Sequence, residues 1–213
     1  MDRIADITAA LGKFILPGQL TEIRALKVQG KEAVRATWDG DHLDHAAREA
    51  LKWEEQGASG VYFIPNPLLP SSYGHFATDV DVLARHWLLI DVDSIRPAKT
   101  GATDRERLAA WEVVQSVEAT LAVVGYRRWV VGDSGNGYHV LVHFDPPLLN
   151  DAAAKNLCRE VLHGLKSLCG NEKATVDTST YNAARIVKLY GTLARKGTET
   201  AERPHRYSRL IPS

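Results

Sequence analysis

This chain is poor in cysteine, has no long apolar run and carries no net charge. Its two cysteines, Cys158 and Cys169, fall among 213 residues. Both lie in one expected helix, about three turns apart. That places them about 16 Å from each other, too far for a disulfide. No CxxC pair occurs, so a zinc ribbon or knuckle is excluded. Both cysteines read as core thiols of a reduced protein, and the expected location is cytoplasmic. No stretch is long and apolar enough to cross a bilayer, and no signal peptide is visible, so no membrane partner is expected. Lys plus Arg and Asp plus Glu both number 26, so the whole-chain charge names no partner. No GxxxxGK[ST] phosphate loop, no internal repeat and no low-complexity segment is present.

The residues that are present are 45% hydrophobic. That suits one moderately large domain or two small ones around a real core. Charge is unevenly spread. Residues 173–213 hold eight Lys and Arg against three Asp and Glu. A basic segment beside acidic ones points to an anionic partner, or to a solvated basic tail.

Residues 1–20 give no readable signal. "TEIRALKV" and "EAVRATW", separated by "QGK", predict a hairpin. "DGDHLDHAAREALKWEEQG" predicts a helix capped by Asp41 and ended near Gly57. "GVYFIPNP" is a short strand stopped by Pro65 and Pro67. Residues 68–84 read as loop, and a strand follows over 86–93. The next helix opens with a Thr103/Glu106 capping box and has a stripe of Val114, Val117, Leu121 and Val124. "RRWVVGDSGNGYHVLVHF" predicts two strands around a Gly-rich turn. "NDAAAKNLCREVLHGLKSLCG" predicts a helix capped by Asn150 and closed by Gly170. "ATVD" is a short strand, and "NAARIVKLYGT" fits strand or helix. The order β-β-α-β, then β-α-β-β-α-β, makes this an α+β protein. Its second half matches a split βαβ, RRM-like sheet.

The chemistry concentrates at three places. Asp91 and Asp93 end an apolar run and, two apart in a strand, point to one face. Val92 faces the other way, and the unbroken run before them marks a central strand covered on both sides. Two such carboxylates repel unless a cation lies between them, and oxygen ligands favour Mg²⁺ or Mn²⁺. A turn cap by Asp93 and an ion pair for Asp91 fit the same residues. In "GDSGNGYHVLVHF", Gly135 and Gly137 permit a tight turn with open backbone amides, the kind of nest that holds phosphate. His139 opens the next strand and shares a face with Leu141 and His143. An ordinary Asn-Gly hairpin fits this stretch as well. Third, Asp177 ends a short strand, followed by Arg185, Lys188, Arg195 and Lys196. Arg185 and Lys188 share a face if helical and oppose each other if extended. A salt bridge between Asp177 and Arg185 is the structural alternative. Taken together, three acids suit two metal ions, and a Gly turn, a histidine and a basic cluster suit a triphosphate.

At these residues the sequence resembles the archaeo-eukaryotic primase superfamily. It is most like the primase-polymerase domain of phage- and plasmid-borne replication proteins. The three motifs are "LIDVD" (89–93), "GYH" within "SGNGYHV", and "VD" (Val176, Asp177). The flanks "GVYFIPNPL", "DTSTYNAARIVKLYGTLARKG" and "ERPHRYSRL" are similar too, so the likeness runs from about residue 21 onward. It implies that Asp91, Asp93 and Asp177 bind two divalent ions, Mg²⁺ or Mn²⁺, without zinc. His139 would contact the phosphates of the incoming nucleotide. Arg185, Lys188 and Lys196 would hold the triphosphate, and Ser134, Asn136 and Gly137 would shape the pocket. The implied organisation is an unassigned segment 1–20 and a primase-polymerase domain over 21–213. Within it, an αβ module (21–84) precedes an RRM-like catalytic core (85–213). The implied activity is template-directed nucleotidyl transfer from NTPs or dNTPs on single-stranded DNA. The setting would be a bacterial or phage-infected cell, with a helicase module in the same protein or in trans.

Two other functions bear on the same residues. A Rep-type nickase needs two histidines flanking one apolar residue, but His139 and His143 are four apart and His42 and His45 three apart. A primase-like domain that only binds single strands would gain from cations and stacking aromatics, whereas three bare carboxylates would repel a phosphate backbone.

Overall fold

Residues 2–212 are described in this computed structural model. The first twenty residues, silent in sequence, begin with helix α1 (Arg3–Leu11). Asp2 caps it by accepting from the amides of Ile4 and Ala5. Ile7, Leu11, Phe14 and Ile15 are buried, so this segment belongs to the core.

The expected hairpin forms from β1 (Leu20–Val28) and β2 (Lys31–Asp39), paired antiparallel. Helix α2 (Leu43–Glu55) follows. Asp41 does not cap it, because its carboxylate accepts from the Gly18 amide at 3.0 Å. His42 occupies the cap position without a side-chain bond to the helix and instead meets Asp39. Strand β3 (Gly60–Phe63) leads to a loop with two short 3₁₀ turns and then to β4 (Ala84–Ser94).

Helix α3 (Asp104–Val123) carries the expected capping box. Its buried stripe includes Val114, Val117 and Leu121 but not Val124, which is 73% exposed beyond the last turn. Strands β5 (Trp129–Asp133) and β6 (Tyr138–Leu149) flank the Gly turn. Helix α4 (Ala152–Cys169) is capped by Asp151 rather than Asn150. The Asn150 amide is drawn away to the carbonyls of Asp79 and Val82. Short strands β7 (Ala174–Val176), β8 (Val187–Lys188), β9 (Leu193–Ala194), β10 (Arg206–Tyr207) and β11 (Arg209–Ile211) complete the chain. The ambiguous 182–192 stretch is therefore extended and turn-like, with β8 as its only regular piece.

The larger sheet has the order β11-β5-β6-β4-β7. Four of its strands, β4 to β7, come from a β-α-β-β-α-β run, and every pair is antiparallel. This is the RRM-like arrangement, with α3 and α4 packed on one face. There Leu88, Ile90, Val92, Val140 and Val142 join Cys158, Leu162 and Cys169 in one core. The other sheet, β2-β1-β3-β8, takes its last strand from the second half of the chain. Its Ile23, Ala25, Val61 and Phe63 face α1 and α2 in a second core. Leu89 and Leu141, from the opposite face of the larger sheet, close that core. Strand β4 is thus buried on both faces up to Ile90, as its apolar run predicts.

Tyr190 joins the two sheets. Its ring is buried within the second core, and its hydroxyl bonds His139 Nδ1 at 3.0 Å. The ring fits only because residue 132 has no side chain. A Cβ there would stand 2.5 Å from the Tyr190 hydroxyl and closer still to the ring carbons. Gly132→Ala should therefore destabilise the protein by about 1–3 kcal/mol through overpacking, measured by urea denaturation. Unchanged stability would show that the ring can move aside.

Candidate active site

Strand register builds the site. Asp91 lies directly across from His139, and His139 directly across from Gly132. Because β4 alternates, Asp91 and Asp93 share the face of Leu89, toward the second sheet, as the sequence predicts. Asp93 pairs with Thr175 on β7, and the Asp177 amide donates to the Asp91 carbonyl at 2.8 Å. The three acids therefore gather at one end of the β4–β7 pair.

Their side chains are held differently. Asp93 is gripped by Arg96, whose Nη2 lies 3.2 Å from Oδ1, and approached by Lys196 at 3.8 Å. Asp177 accepts from the amide and hydroxyl of Ser179, and Arg185 stands 3.7 Å away. The Asp91 carboxylate accepts no hydrogen bond among the described residues, its nearest partner being His139 Nε2 at 3.7 Å. Burial, then the charges of Asp93 and Asp177, push its pKa up to about 8. The side chain is still 26% exposed at the cleft floor, so a cation can reach it. Among the described residues no three His, Cys, Asp or Glu side chains stand close enough to form a ready cage. Asp177 is turned toward Ser179 and Arg185, and Asp93 toward Arg96 and Lys196.

A cleft of about 530 Å³ opens over Asp91 and Asp93. Ser134, Asn136, His139, Lys188 and Lys196 line it, whereas Asp177 and Arg185 stand outside that lining. His139 is buried, and burial followed by the Lys188 charge lowers its pKa to about 3, which keeps the imidazole neutral. Lys188 is also buried, with Nζ donating to Thr192 Oγ1 at 2.8 Å and the Leu193 carbonyl at 2.9 Å. Burial depresses it to about 7, Arg195 adding to the effect and Glu54 opposing it. In the extended chain Lys188 and Arg185 do not share a helical face.

The Gly turn differs from the open nest expected. The Ser134 amide donates to the Gly137 carbonyl, the Gly135 amide to Asp133 Oδ1, and the Gly137 amide to Ser134 Oγ. These amides close the turn on itself and are not offered to a ligand. Asn136 points its Oδ1 at the Ala102 amide, 2.9 Å away, tying the turn to the start of α3. Gly137 is needed by close approach: a Cβ would lie 2.5 Å from the Val92 carbonyl oxygen and nearer still to Asp93 Oδ1.

Several cleft residues escaped the sequence reading. Tyr62, Lys27 and Lys99 all line it. Alternation in "GVYF" was an available signal for Tyr62, the residue whose side chain leaves the Val61/Phe63 core face. Lys27 and Lys99 have left-handed backbones, at φ +55° and +61°, which no local pattern announces. Glu54, buried on α2, receives Arg3 at 2.6 Å and the Leu193 amide at 2.5 Å. It thereby fixes β9 beside Lys188.

No family model and no curated protein matches this sequence. Solved structures do match. The crystal structure of primase RepB' aligns with TM-score 0.57 at 14% identity, over 99% of this chain and 56% of that one. This chain thus spans little more than half the length of that primase. The catalytic domain of primase RepB' in complex with initiator DNA aligns with TM-score 0.55 at 12% identity, over 100% of this chain and 86% of that one. The fold is a primase-polymerase fold. The polymerase domain of Mycobacterium tuberculosis Ligase D, in complex with DNA, aligns with TM-score 0.53 at 18% identity, over 95% of this chain and 79% of that one. The primase-polymerase fold accounts for the α+β architecture and the RRM-like core. Among the described residues no helix is long and apolar enough to cross a membrane.

The buried Lys188 gives a signed pH test. Its folded pKa lies below the unfolded value, so between pH 7 and 10 the unfolded chain binds the extra proton and stability rises with pH. The parent should therefore gain stability relative to Lys188→Met as pH rises from 7 to 10, by urea denaturation. A difference that does not vary with pH would mean the amine keeps its charge.

Proposed function

We propose that this chain is a DNA primase-polymerase that joins nucleoside triphosphates on a single-stranded DNA template and releases pyrophosphate. One observation carries the reading. Asp91, without a hydrogen-bond donor and pressed by Asp93 and Asp177, faces a cleft that also holds Lys27, Lys99, Lys188, Arg195 and Lys196. An acid without a cation of its own thus faces a wall of cations, of which only Lys196 stands within 4 Å of a carboxylate among the described residues, and that pairing of charges is the complement of a metal-bound triphosphate. The fold shared with primase and polymerase domains supports the same reading.

Asp91, Asp93 and Asp177 are the residues that would hold divalent ions, Mg²⁺ or Mn²⁺, and their all-oxygen donor set fits such ions. When bound, these ions would neutralise the attacking and leaving oxygens. The rest falls to the protein's own groups. Lys188 and Lys196 would balance charge on the β- and γ-phosphates, with Arg185 acting from the rim beside Asp177. His139 stays neutral. In the tautomer that accepts the Tyr190 hydroxyl proton at Nδ1, its Nε2 would carry a proton toward the cleft and give a phosphate oxygen one hydrogen bond. Ser134, Asn136 and Gly137 keep the turn at a fixed distance from Asp93. A helicase module, in a longer protein or in trans, would supply the single strand.

The test is nucleotide incorporation on single-stranded DNA, with and without a primer, using labelled NTPs or dNTPs and Mg²⁺ or Mn²⁺. The Asp91→Ala/Asp93→Ala variant should lose on the order of 10³-fold in rate or more, since charge stabilisation is the main contribution such a site makes. An unimpaired double variant would overturn the reading.

A further inference from the structure

The smaller sheet turns one face to the α1/α2 core, and its other face runs out of the cleft. Cross-strand pairing places four residues of that outer face in one row. Lys188 on β8 pairs with Tyr62 on β3, Tyr62 with Arg24 on β1, and Arg24 with Arg35 on β2. At about 4.8 Å between strands, the row is about 14 Å long. Its inner end, Lys188 and Tyr62, lines the cleft.

The outer end carries an aromatic platform. Phe76, from the loop before β4, lies 4.9 Å above the Arg24 guanidinium and 5.9 Å from that of Arg35. The ring remains 43% exposed. Arg24 is committed to structure: it pairs with the fully buried Glu22 and donates to the Ala77 carbonyl, which fixes the Phe76 loop. Arg35 differs. Its sole side-chain bond is a 3.5 Å contact to Thr37, and it has no acidic partner among the described residues. A cation without a carboxylate beside a half-exposed ring is the combination that binds single strands, the cation taking phosphate and the ring stacking on a base. At the outer end of the row Glu22 is neutralised by Arg24, whereas the acids near its inner end are those of the cleft, Asp91 and Asp93.

We propose that this row is the track of the single-stranded template, with Phe76 and Arg35 holding the strand one step outside the cleft that Tyr62 and Lys188 enter. The inference rests on the polymerase reading for the strand's destination but makes its own claim about binding. Fluorescence anisotropy with a labelled oligodeoxythymidylate, in a salt series, reads the binding. Phe76→Ala/Arg35→Ala should weaken affinity by about tenfold or more. It should also flatten the dependence of log affinity on log salt by about 0.7, one phosphate contact on a single strand. In incorporation assays the same variant should raise the KM for template and leave the KM for nucleotide unchanged. Arg159→Ala on α4 is the control and should bind as the parent does. Parent-like affinity and salt slope in a folded Phe76→Ala/Arg35→Ala variant would overturn the track, whatever the activity. A parent chain that binds the oligonucleotide through these residues yet incorporates nothing would overturn the polymerase reading and leave the track standing.

Discussion

Repulsion among Asp91, Asp93 and Asp177 is the constraint around which the rest of the structure is arranged. Like charges at the end of a strand cost free energy unless something answers them. Two of the three are answered within the protein, Asp93 by Arg96 and Asp177 by Ser179 and Arg185. Asp91 has no such partner, and burial first, then the charges of Asp93 and Asp177, raises its pKa. The apolar run before it, buried on both faces, holds the strand so that Asp91 cannot swing into solvent. A rigid strand, one bare carboxylate and a cationic wall across a cleft together form a site that waits for positive charge on one side and negative charge on the other.

The two sheets meet at that point, and Tyr190 keeps them in register. Its ring belongs to the α1/α2 core while its hydroxyl belongs to His139, and Gly132 leaves room for both. The imidazole is thus fixed from below by packing and remains neutral because it is buried. Glu54 does similar work from α2, receiving Arg3 and the Leu193 amide at the strand that supplies an acceptor to Lys188. Residues far apart in the chain hold the cleft at a width set by core packing.

Much of this was legible in the chain. The period-two pattern and the apolar run fixed β4, and the i, i+2 rule put Asp91 and Asp93 on one face. The Thr103/Glu106 box and the Gly170 stop gave two helix ends, since both are local geometry. Errors came where a local signal met a distant partner. Asp41 looked like a cap but was taken by Gly18, and Asn150 was taken by two carbonyls in the loop before β4. Residues 3–11 gave no signal because a short amphipathic helix has weak periodicity on its own. The Gly turn looked like an open nest, yet its amides are used by neighbours within five residues of one another, a choice of bonding that composition does not reveal.

The sequence by itself determined the order of elements from β1 to β7, the acidic strand end, the Gly turn with its histidine and the basic stretch behind Asp177, because each depends on residues within a few positions. Only the tertiary structure decided that Lys188 enters the cleft while Arg185 stays at its rim. Tyr62, Lys27 and Lys99 likewise came to light only there, as did the row from Lys188 to Arg35. The physical reason is that β8 leaves the second half of the chain to pair with β3 of the first. A two-residue strand carries no periodicity to read, and its register is set by burying Val187 beside Phe63, which obliges Lys188 to face Tyr62 and the cleft.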